Sequence, residues 1–303
     1  MRIGIMIGAD GANQGVSDIV KLAQRAEQLK FANVWMANIF SFDAITTLAI
    51  VGRETKSIEL GTAVVPTYPR HPTAIAQQAL TAAAASNNRF ALGIGLSHKI
   101  VIENMLGFSY AEPAKHMKEY LTVLGPLLRG ETVNYSGNEY RIAGITLTVP
   151  GAKRVPLLVA ALGPVMLKLT GELADGTITW MVGPETMGKH IVPSLHKAAR
   201  GVGRPEPRVV GGFPIVITNK PEEARAKIAE QLTIYGQLPS YRAMLDREGA
   251  KGPADIAIAG DENYARGAIR RLEQTGITDL SAAIVTTEPG AYERTLEFLA
   301  SLN

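Results

Sequence analysis

Hydrophobic and polar positions along this chain follow two periods that alternate with each other. Short apolar runs are separated by longer segments whose apolar positions fall on one face of a helix, and this alternation is typical of strands that are each followed by a helix. The apolar runs predict strands at residues 3–8, 33–36, 58–65, 90–96, 156–161, 176–181, 209–217 and 280–285.

Helices are predicted between these strands. Ser17 and Asp43 stand where they could cap the first two helices, because each precedes a segment with helical periodicity. The other simple helical segments are 73–85, 113–128, 165–174, 185–199, 263–274 and 292–302.

Two stretches interrupt the alternation of strand and helix. Residues 131–149 alternate in polarity around a Ser-Gly-Asn sequence, which predicts a hairpin after strand four. Residues 221–247 have helical periodicity but contain Gly236 and Pro239, so a helix there must be broken. The chain therefore has insertions after strands four and seven.

Eight parallel strands with intervening helices close into a barrel. We predict an α/β fold, a (β/α)8 TIM barrel with insertions after strands 4 and 7. An open doubly wound sheet is the alternative, but it usually carries Gly-x-Gly-x-x-Gly after its first strand, and strand one here ends in Gly8-Ala9-Asp10-Gly11. Because no repeat or linker interrupts the pattern, residues 1–303 are predicted to form a single domain.

Composition and charge narrow the classes of partner. The net charge is only +3 and no basic block is present, which argues against a nucleic-acid partner. The chain has no cysteine, so disulfides, thiolate metal sites and cysteine nucleophiles are excluded, and a cytoplasmic location is expected. The first residues are too short and too glycine-interrupted for a signal peptide, and no apolar run approaches the roughly 18 residues of a membrane span. No membrane partner is expected.

The predicted strand ends lack the side chains that many barrel enzymes use. In a parallel barrel, the site lies at the carboxyl ends of the strands. There the sequence has no His-x-His, no closely spaced carboxylate pair and no lysine placed for a Schiff base, which hydrolases, glycosidases and aldolases would need. This pattern predicts no metal site and favours a bound cofactor that carries the reaction.

Three strand ends suit an extended, phosphorylated cofactor. The segment 160–164, Ala-Ala-Leu-Gly-Pro, leads into a helix whose first N–H groups would attract a phosphate, although Gly-Pro is also an ordinary helix start. Gly93 and Gly95 would let a flat ring or a phosphate approach the backbone, or would only relieve crowding. The segment 63–65 is either a bulge that presses on a planar ring or an ordinary strand end.

Several side chains could line the same mouth of the barrel. His98 follows strand four and titrates near neutrality, so it could touch the cofactor. Trp180 ends strand six and could either wall the pocket or belong to the core. Tyr235 and Tyr241 lie in the interrupted insertion, which would fold over the mouth or form a surface helix pair. His71, at a helix start, is interpreted as a structural cap.

Five stretches of the chain are recognisable as family motifs. They are Gly-Thr-Ala-Val-Val-Pro-Thr-Tyr-Pro-Arg-His-Pro at 61–72, Asn-Arg-Phe-Ala-Leu-Gly-Ile-Gly-Leu-Ser-His at 88–98, Ala-Ala-Leu-Gly-Pro at 160–164, Glu-Leu-Ala-Asp-Gly at 172–176, and the insertion at 236–245. They resemble the luciferase-like monooxygenase superfamily and, more narrowly, its branch that uses the deazaflavin coenzyme F420 in place of FMN. The resemblance covers nearly the whole chain.

This resemblance implies a (β/α)8 barrel, usually a homodimer, with the cofactor lying across the strand ends. It implies a non-proline cis peptide between Ala63 and Val64, in a bulge of strand three behind the central ring, and a phosphate-binding segment at Leu162 and Gly163. The residues expected at the cofactor, from the strand ends and from the resemblance together, are Asn38, Ala63, Val64, Val65, Gly95, Ser97, His98, Ala160, Ala161, Leu162, Gly163, Thr179 and Trp180.

The loop after strand two departs from the family pattern. Several F420-dependent relatives have Asp-His there, which contributes to ring binding and proton transfer, whereas this chain has Asn38-Ile39. Asn38 can still hydrogen-bond a deazaflavin, but the side chain of Ile39 cannot carry a proton. The acid–base roles of those relatives, and their sugar-phosphate or alcohol substrates, therefore do not transfer to this chain.

The resemblance implies an F420-dependent oxidoreductase, which transfers a hydride between C5 of the deazaflavin and a small organic substrate. His98 or a water molecule would handle the proton, and Asn38 is the second catalytic candidate. The side chains expected to hold the substrate are Phe40, Tyr68, Trp180, Tyr235 and Tyr241. Two alternatives stay open: an FMN-dependent luciferase-like monooxygenase, and a non-catalytic barrel that binds a flavin or deazaflavin.

Overall fold

The computed structural model describes residues 1–8 and 14–303 of the chain. Its strands are β1 (Arg2–Ile7), β2 (Asn33–Met36), β3 (Glu59–Thr62), β4 (Val65–Pro66), β5 (Phe90–Gly95), β6 (Val133–Ser136), β7 (Arg141–Ile145), β8 (Leu157–Val159), β9 (Gly176–Trp180), β10 (Arg208–Ile217), β11 (Ile258–Gly260) and β12 (Asp279–Ile284).

The α-helices are α1 (Val16–Gln28), α2 (Ala44–Glu54), α3 (Pro72–Ala85), α4 (Pro113–Leu128), α5 (Pro164–Leu173), α6 (Pro184–Thr186), α7 (Val192–Gly201), α8 (Pro221–Gln231), α9 (Thr233–Gln237), α10 (Pro239–Glu248), α11 (Glu262–Glu273) and α12 (Ala291–Ala300). Two π-helical segments lie at Ile100–Met105 and Met187–Ile191, and a 3-10 segment lies at Pro253–Ile256.

The β-sheet closes on itself. Within the described residues, the parallel strands follow each other around the ring in the order β1, β2, β3, β5, β8, β9, β10 and β12, and β12 pairs with β1. One side of each strand packs with the surrounding helices in a continuous core, and the other side faces the barrel interior. The fold is therefore a (β/α)8 barrel, as predicted, and the open doubly wound sheet is excluded.

The local signals for helix starts are confirmed in part. Asp43 caps α2 as predicted, because its carboxylate accepts a hydrogen bond from the amide of Thr46 at 2.8 Å. His71 caps α3, as interpreted from the sequence. The cap predicted at Ser17 is wrong: the N-cap of α1 is Gly15, and the carboxylate of Asp18 accepts from the Gly15 amide at 3.1 Å.

Strand three is not continuous, so the prediction of one strand over 58–65 is wrong. The chain pairs with β5 through Leu60 and Gly61, leaves the ladder, and resumes the pairing only at Val65. At the interruption, the hydroxyl of Thr62 both accepts from the amide of Gly93 and donates to its carbonyl, each at 2.8 Å. A side chain thus replaces the backbone partner that the bulge removes.

Both predicted insertions are present. The first contains the antiparallel pair of β6 and β7, and the second is broken into α8, α9 and α10. The sequence did not predict β11, which ends this second insertion and pairs with the last part of β10. Because the first part of β10 pairs with β9, β10 changes its partner on that edge from β9 to β11.

A charged network closes the amino end of the barrel. The guanidinium of Arg208 donates to both oxygens of Asp279, at 2.7 and 3.0 Å, and also contacts Glu59. The amide of Asn33 donates to Asp279 at 2.9 Å, and Arg208 lies 5.0 Å from the ring centroid of Trp35. These groups fill the interior at that end, which favours the carboxyl ends of the strands as the place for a ligand.

Two sequence expectations are not tested by the fold. Residues 9–13 lie outside the described residues. They include Ala9, Asp10 and Gly11, whose sequence differs from the glycine motif of an open doubly wound sheet. The assignment of residues 1–303 to a single domain stays a prediction. Across the described ranges, 1–8 and 14–303, no helix combines the length and the apolar character that crossing a membrane requires.

Candidate active site at the carboxyl ends of the strands

The bulge between β3 and β4 reaches into the barrel mouth. The peptide bond between Ala63 and Val64 is cis, at the position that the family resemblance implied. The amide of Ala63 donates to the carbonyl of Met36 at 2.7 Å, and the carbonyl of Val64 accepts from the amide of Asn38 at 3.3 Å. Ala63 and Val64 are half-buried and pack with the interior cluster around Trp35.

Two glycines of β5 make room for this bulge. A Cβ at Gly93 would lie 2.0 Å from the carbonyl oxygen of Thr62, and a Cβ at Gly95 would lie 2.7 Å from Cγ2 of Val64. Real side chains do not approach so closely, so both positions need glycine. The sequence left open whether Gly93 and Gly95 let a ring or a phosphate approach the backbone or only relieve crowding. The close approach of Thr62 and Val64 favours relief of crowding, because the bulge occupies the space beside both glycines.

The helix start after β8 is open. Gly163 is the N-cap of α5, Pro164 follows it, and no side chain of the described residues caps the first amides. A Cβ at Gly163 would have no atom within 4 Å. His190 donates from Nε2 to the carbonyl of Leu162 at 2.8 Å and so fixes the segment just before the helix. Free N–H groups at a helix start form a site for a phosphate.

The helix after β9 shows the contrasting case. It begins with the same Gly-Pro sequence, at Gly183 and Pro184. Here the carboxylate of Glu248 accepts from the amides of Glu185 and Thr186 at 3.1 and 2.7 Å. Because a side chain already fills the anion position at α6, the start of α5 is the one of these two helices that fits a phosphate group.

Four aromatic rings form a continuous wall across the mouth, which we call the aromatic wall: His98, Tyr241, Tyr235 and Trp180. Successive ring centroids are 5.5, 5.4 and 6.1 Å apart. His98 follows β5, Trp180 ends β9, and the two tyrosines belong to α9 and α10. The insertion therefore folds over the mouth, as one of the two sequence interpretations had it.

Burial keeps the aromatic wall uncharged. It raises the pKa of Tyr235 and of Tyr241, so both phenols stay protonated at neutral pH. It lowers the pKa of His98 below its ordinary value of 6.5, so the imidazole is neutral. A neutral imidazole offers one N–H donor and one acceptor to a ligand.

The buried imidazole of His98 predicts a pH dependence of stability. Below about pH 6.5 the unfolded chain binds a proton at His98 that the folded protein accepts only at lower pH, so stability falls as the pH falls. We expect the wild type to lose more free energy of unfolding between pH 7.5 and 5.5 than a His98→Gln variant, measured by urea denaturation. Equal losses in both proteins would contradict this assignment.

The side chain of Asn38, in the loop after β2, is already hydrogen-bonded. The side-chain oxygen of Asn38 accepts from the amide of Ala44 at 3.0 Å, and Arg70 lies 3.5 Å from the same oxygen. Arg70 also pairs with Asp43 at 2.8 Å. Phe40 is 68% exposed, at the rim of the mouth. Asn38 is thus held at the start of α2, with its carbonyl oxygen already used.

Three of the predicted cofactor contacts face away from the mouth. The side chains of Val65 and Ala161 are buried in the core between barrel and helices. The hydroxyl of Thr179 contacts the carbonyl of Val210 at 3.3 Å and Sδ of Met187 at 3.6 Å, on the same outer side. Their side chains point to the helices because neighbouring positions in a strand alternate between its two faces.

The structure brings most of the other predicted residues to the mouth. Gly95, Ser97 and Ala160 lie at the ends of β5 and β8, and Ser97 has a positive φ of 60°.

Sequence reasoning missed Thr62 and His190, which form hydrogen bonds that hold the bulge and the start of α5. Their hydrogen bonds join segments distant in sequence, and no local pattern signals them. Within the described residues, no group of His, Asp and Glu side chains could hold a metal ion.

The mouth of this parallel barrel combines a bulged strand, an open helix start and a neutral aromatic wall. These features would suit a phosphorylated cofactor with a planar ring. Residues 1–298 match the sequence model of the luciferase-like monooxygenase family. The chain belongs to this family.

The chain is similar to several proteins whose names refer to coenzyme F420 or to a reductase. A Mycobacterium tuberculosis protein named as a coenzyme F420-dependent oxidoreductase is 28% identical, over 92% of this chain and 93% of that protein. The 5,10-methylenetetrahydromethanopterin reductase of Methanolobus tindarius is 30% identical, over 81% and 75%. The solved structure of the coenzyme F420-dependent tetrahydromethanopterin reductase of Methanopyrus kandleri superposes with a TM-score of 0.81, at 21% identity, over 99% and 97%. This last likeness supports the fold.

Proposed function

We propose that this protein is an oxidoreductase that uses coenzyme F420, and that its substrate is a small, uncharged organic molecule. The observation that carries the proposal is the uncapped start of α5 beside the bulge at Ala63 and Val64, in a chain whose similar proteins are named for F420. The deazaflavin would supply hydride donation or acceptance at C5.

The chain offers distinct groups to each part of such a cofactor. The bulge, seated on Gly93 and Gly95, would support one face of the ring system. The first amides of α5 would donate to the phosphate, with the helix dipole adding to the attraction. His190 would keep the Leu162 carbonyl turned away from that phosphate, because it holds the carbonyl oxygen in a hydrogen bond.

The polarity of the mouth favours an uncharged substrate. Three cations near it are each paired with a carboxylate: Arg70 with Asp43 at 2.8 Å, Lys99 with Glu103 at 3.7 Å, and Arg242 with Asp246 at 2.8 Å. The remaining groups are the aromatic wall, the exposed rim residue Phe40 and Tyr68. A substrate held between them would gain apolar contact, and none of the three cations just named is free to bind a phosphate ester.

Tyr68 and His98 are the candidates for handling the proton. Burial, with Tyr110, Glu139 and Glu103 adding to it, raises the pKa of the Tyr68 phenol, so it stays protonated and can donate to a substrate carbonyl. Neutral His98, in the aromatic wall, can accept or donate a proton. Asn38 is placed less favourably for chemistry, because its carbonyl oxygen is already hydrogen-bonded.

Titration of the purified protein with reduced F420 and, separately, with reduced FMN tests the proposal. We expect F420 to bind with a dissociation constant at or below about 10 μM and FMN to bind at least about 100-fold more weakly. Tight binding of FMN with none of F420 would favour an FMN-dependent monooxygenase. Binding of F420 without oxidation by any carbonyl acceptor would favour a non-catalytic deazaflavin-binding barrel.

Two further properties belong to this proposal. We propose that the protein is a homodimer and that it acts in the cytoplasm. The outer face of α3 supports the first, because its exposed positions are small or uncharged, at Ala74, Gln77, Gln78 and Thr81, and such a face can be covered by a second copy. Light scattering of the purified protein measures this directly.

A further inference from the structure

A buried histidine lies directly behind Tyr68 and is not among the proposed contacts of the cofactor or the substrate. His116, in α4, is 2% exposed. Its Nδ1 contacts the carboxylate of Glu139, and its Nε2 lies 3.0 Å from the hydroxyl of Thr67. Its ring stacks on Tyr68 with centroids 4.0 Å apart and planes inclined by only 4°. We call Thr67, Tyr68, His116 and Glu139 the His116 cluster.

The His116 cluster is itself held in place from the hairpin of β6 and β7. The carboxylate of Glu119, one turn after His116 in α4, accepts from the amides of Asn138 and Glu139 at 2.9 and 3.0 Å. This fixes the hairpin turn from which Glu139 reaches His116. On the same helix, the hydroxyl of Tyr120 donates to the carbonyl of Arg70 at 3.0 Å. Both ends of the loop that carries Tyr68 are therefore anchored on α4.

Tyr68 is fixed on both faces of its ring. His116 covers one face, and the ring of Tyr110 stacks with its centroid 5.4 Å away. The hydroxyl of Tyr110 is itself held 3.4 Å from the carbonyl of Ser97. Among the described residues, the hydroxyl of Tyr68 has no hydrogen-bond partner. The cluster thus immobilises a ring and leaves its one polar group available.

An apolar residue at position 116 would fill the same space without the cost of burying a polar imidazole. Such a residue would have no hydrogen bonds to fix the orientation of its side chain. Two hydrogen bonds at opposite nitrogens fix the plane of the imidazole, and a ring stacked at 4° transmits that plane to Tyr68. The arrangement is therefore better explained by orientation of Tyr68 than by packing alone.

We propose that His116, oriented by Glu139, is a positioning residue that fixes the ring of Tyr68 in the wall of the substrate pocket. The β6–β7 hairpin then contributes to substrate recognition without contacting the substrate. This inference rests on the proposed function only in taking Tyr68 as a substrate contact.

Fluorine NMR of protein labelled with 3-fluorotyrosine tests the positioning directly. The Tyr68 signal is assigned with a Tyr68→Phe variant. In Glu139→Gln and His116→Phe we expect this signal to shift and broaden, because the ring loses its fixed neighbour, while the signals of Tyr235 and Tyr264 stay in place. Urea denaturation accompanies each variant. Should His116→Phe fail to fold, Glu139→Gln, which changes a surface residue, carries the test.

A kinetic measurement uses reduced F420 with cyclohexanone as the probe acceptor. For both variants we expect KM for cyclohexanone to rise about tenfold, because the substrate contact of Tyr68 is displaced, and kcat to fall as well, because Tyr68 is also a candidate proton donor. His196→Phe is the matched control, because His196 also pairs with a glutamate, Glu206 at 3.9 Å, on the far helix α7. Its KM should not change.

An unmoved Tyr68 signal in both variants overturns the proposal, and so does a KM that rises no more than in His196→Phe. The NMR result decides by itself when cyclohexanone proves not to be an acceptor. Failure of the wild type to bind F420 would remove the proposed function, yet it would leave the NMR test of His116 and Tyr68 intact.

Discussion

A Gly163→Asp variant is expected to bind reduced F420 about 100-fold more weakly than the wild type while folding at least as well. The new carboxylate would accept hydrogen bonds from the first amides of α5, which no side chain caps at present. It would therefore occupy the place of the cofactor phosphate and repel it. The affinity is measured by fluorescence titration with reduced F420.

The same substitution should raise stability slightly. Gly163 has a φ of −80° and no atom within 4 Å of an added Cβ, so an aspartate fits without strain, and it caps a helix better than glycine by roughly a few tenths of a kcal/mol. Gly163→Asn is the matched control, since it competes for the amides without adding charge and should weaken binding less. Wild-type affinity in Gly163→Asp would place the phosphate elsewhere.

A Gly93→Ala variant is expected to lose about 3 kcal/mol or more of its free energy of unfolding. The added methyl group would lie 2.0 Å from the carbonyl oxygen of Thr62 and 3.3 Å from Cγ1 of Val64. The first of these atoms belongs to the backbone, so it cannot move without breaking the hydrogen bonds between Thr62 and Gly93. Urea denaturation measures the loss, and F420 affinity should fall with it.

Gly201→Ala is the control for this variant. An added Cβ at Gly201, at the end of α7, would meet no atom within 4 Å, so its stability should match that of the wild type. If Gly93→Ala unfolds at the same urea concentration as Gly201→Ala, the close approach of the bulge to β5 is not needed for folding.

Local signals in the sequence were sufficient for the barrel. The apolar run at 33–36 coincides with β2, and α4 begins and ends where its periodicity predicts. Each of these segments carries its own pattern, because a strand inside a parallel barrel is apolar along its length and a covering helix shows one apolar face. The eight predicted strands then indicated a closed barrel, which the structure shows.

The sequence did not reveal features that depend on distant partners. The three residues of β11 are too few to show a period, and they form a strand only because β10 extends past β9. The break in strand three depends on Thr62 meeting Gly93 on the neighbouring strand. Thr179 was assigned from the family resemblance and Val65 as part of the segment 63–65, but the side chains of both lie on the outer face because side chains alternate along a strand.

The sequence predicts a location for the candidate site and less of its construction. Strand ends and glycines indicated where a cofactor would lie, and the cis peptide at Ala63 and Val64 was implied by the family resemblance. The contact of His98 with Tyr241, and the stack of His116 on Tyr68, join segments far apart along the chain. Neither pair has a local pattern, so only the folded structure brings them together.

The change of partner along β10 has a consequence for how this enzyme family can vary. The amide of Thr218, directly after β10, donates to the carbonyl of Gly260, the last residue of β11, at 2.9 Å. The insertion between β10 and β11, which carries Tyr235 and Tyr241, thus leaves the barrel and returns to it at the same place. The entropy of closing such a loop changes only slowly with its length. The insertion over the mouth can therefore change in length at small entropic cost while the pairing at its base is kept.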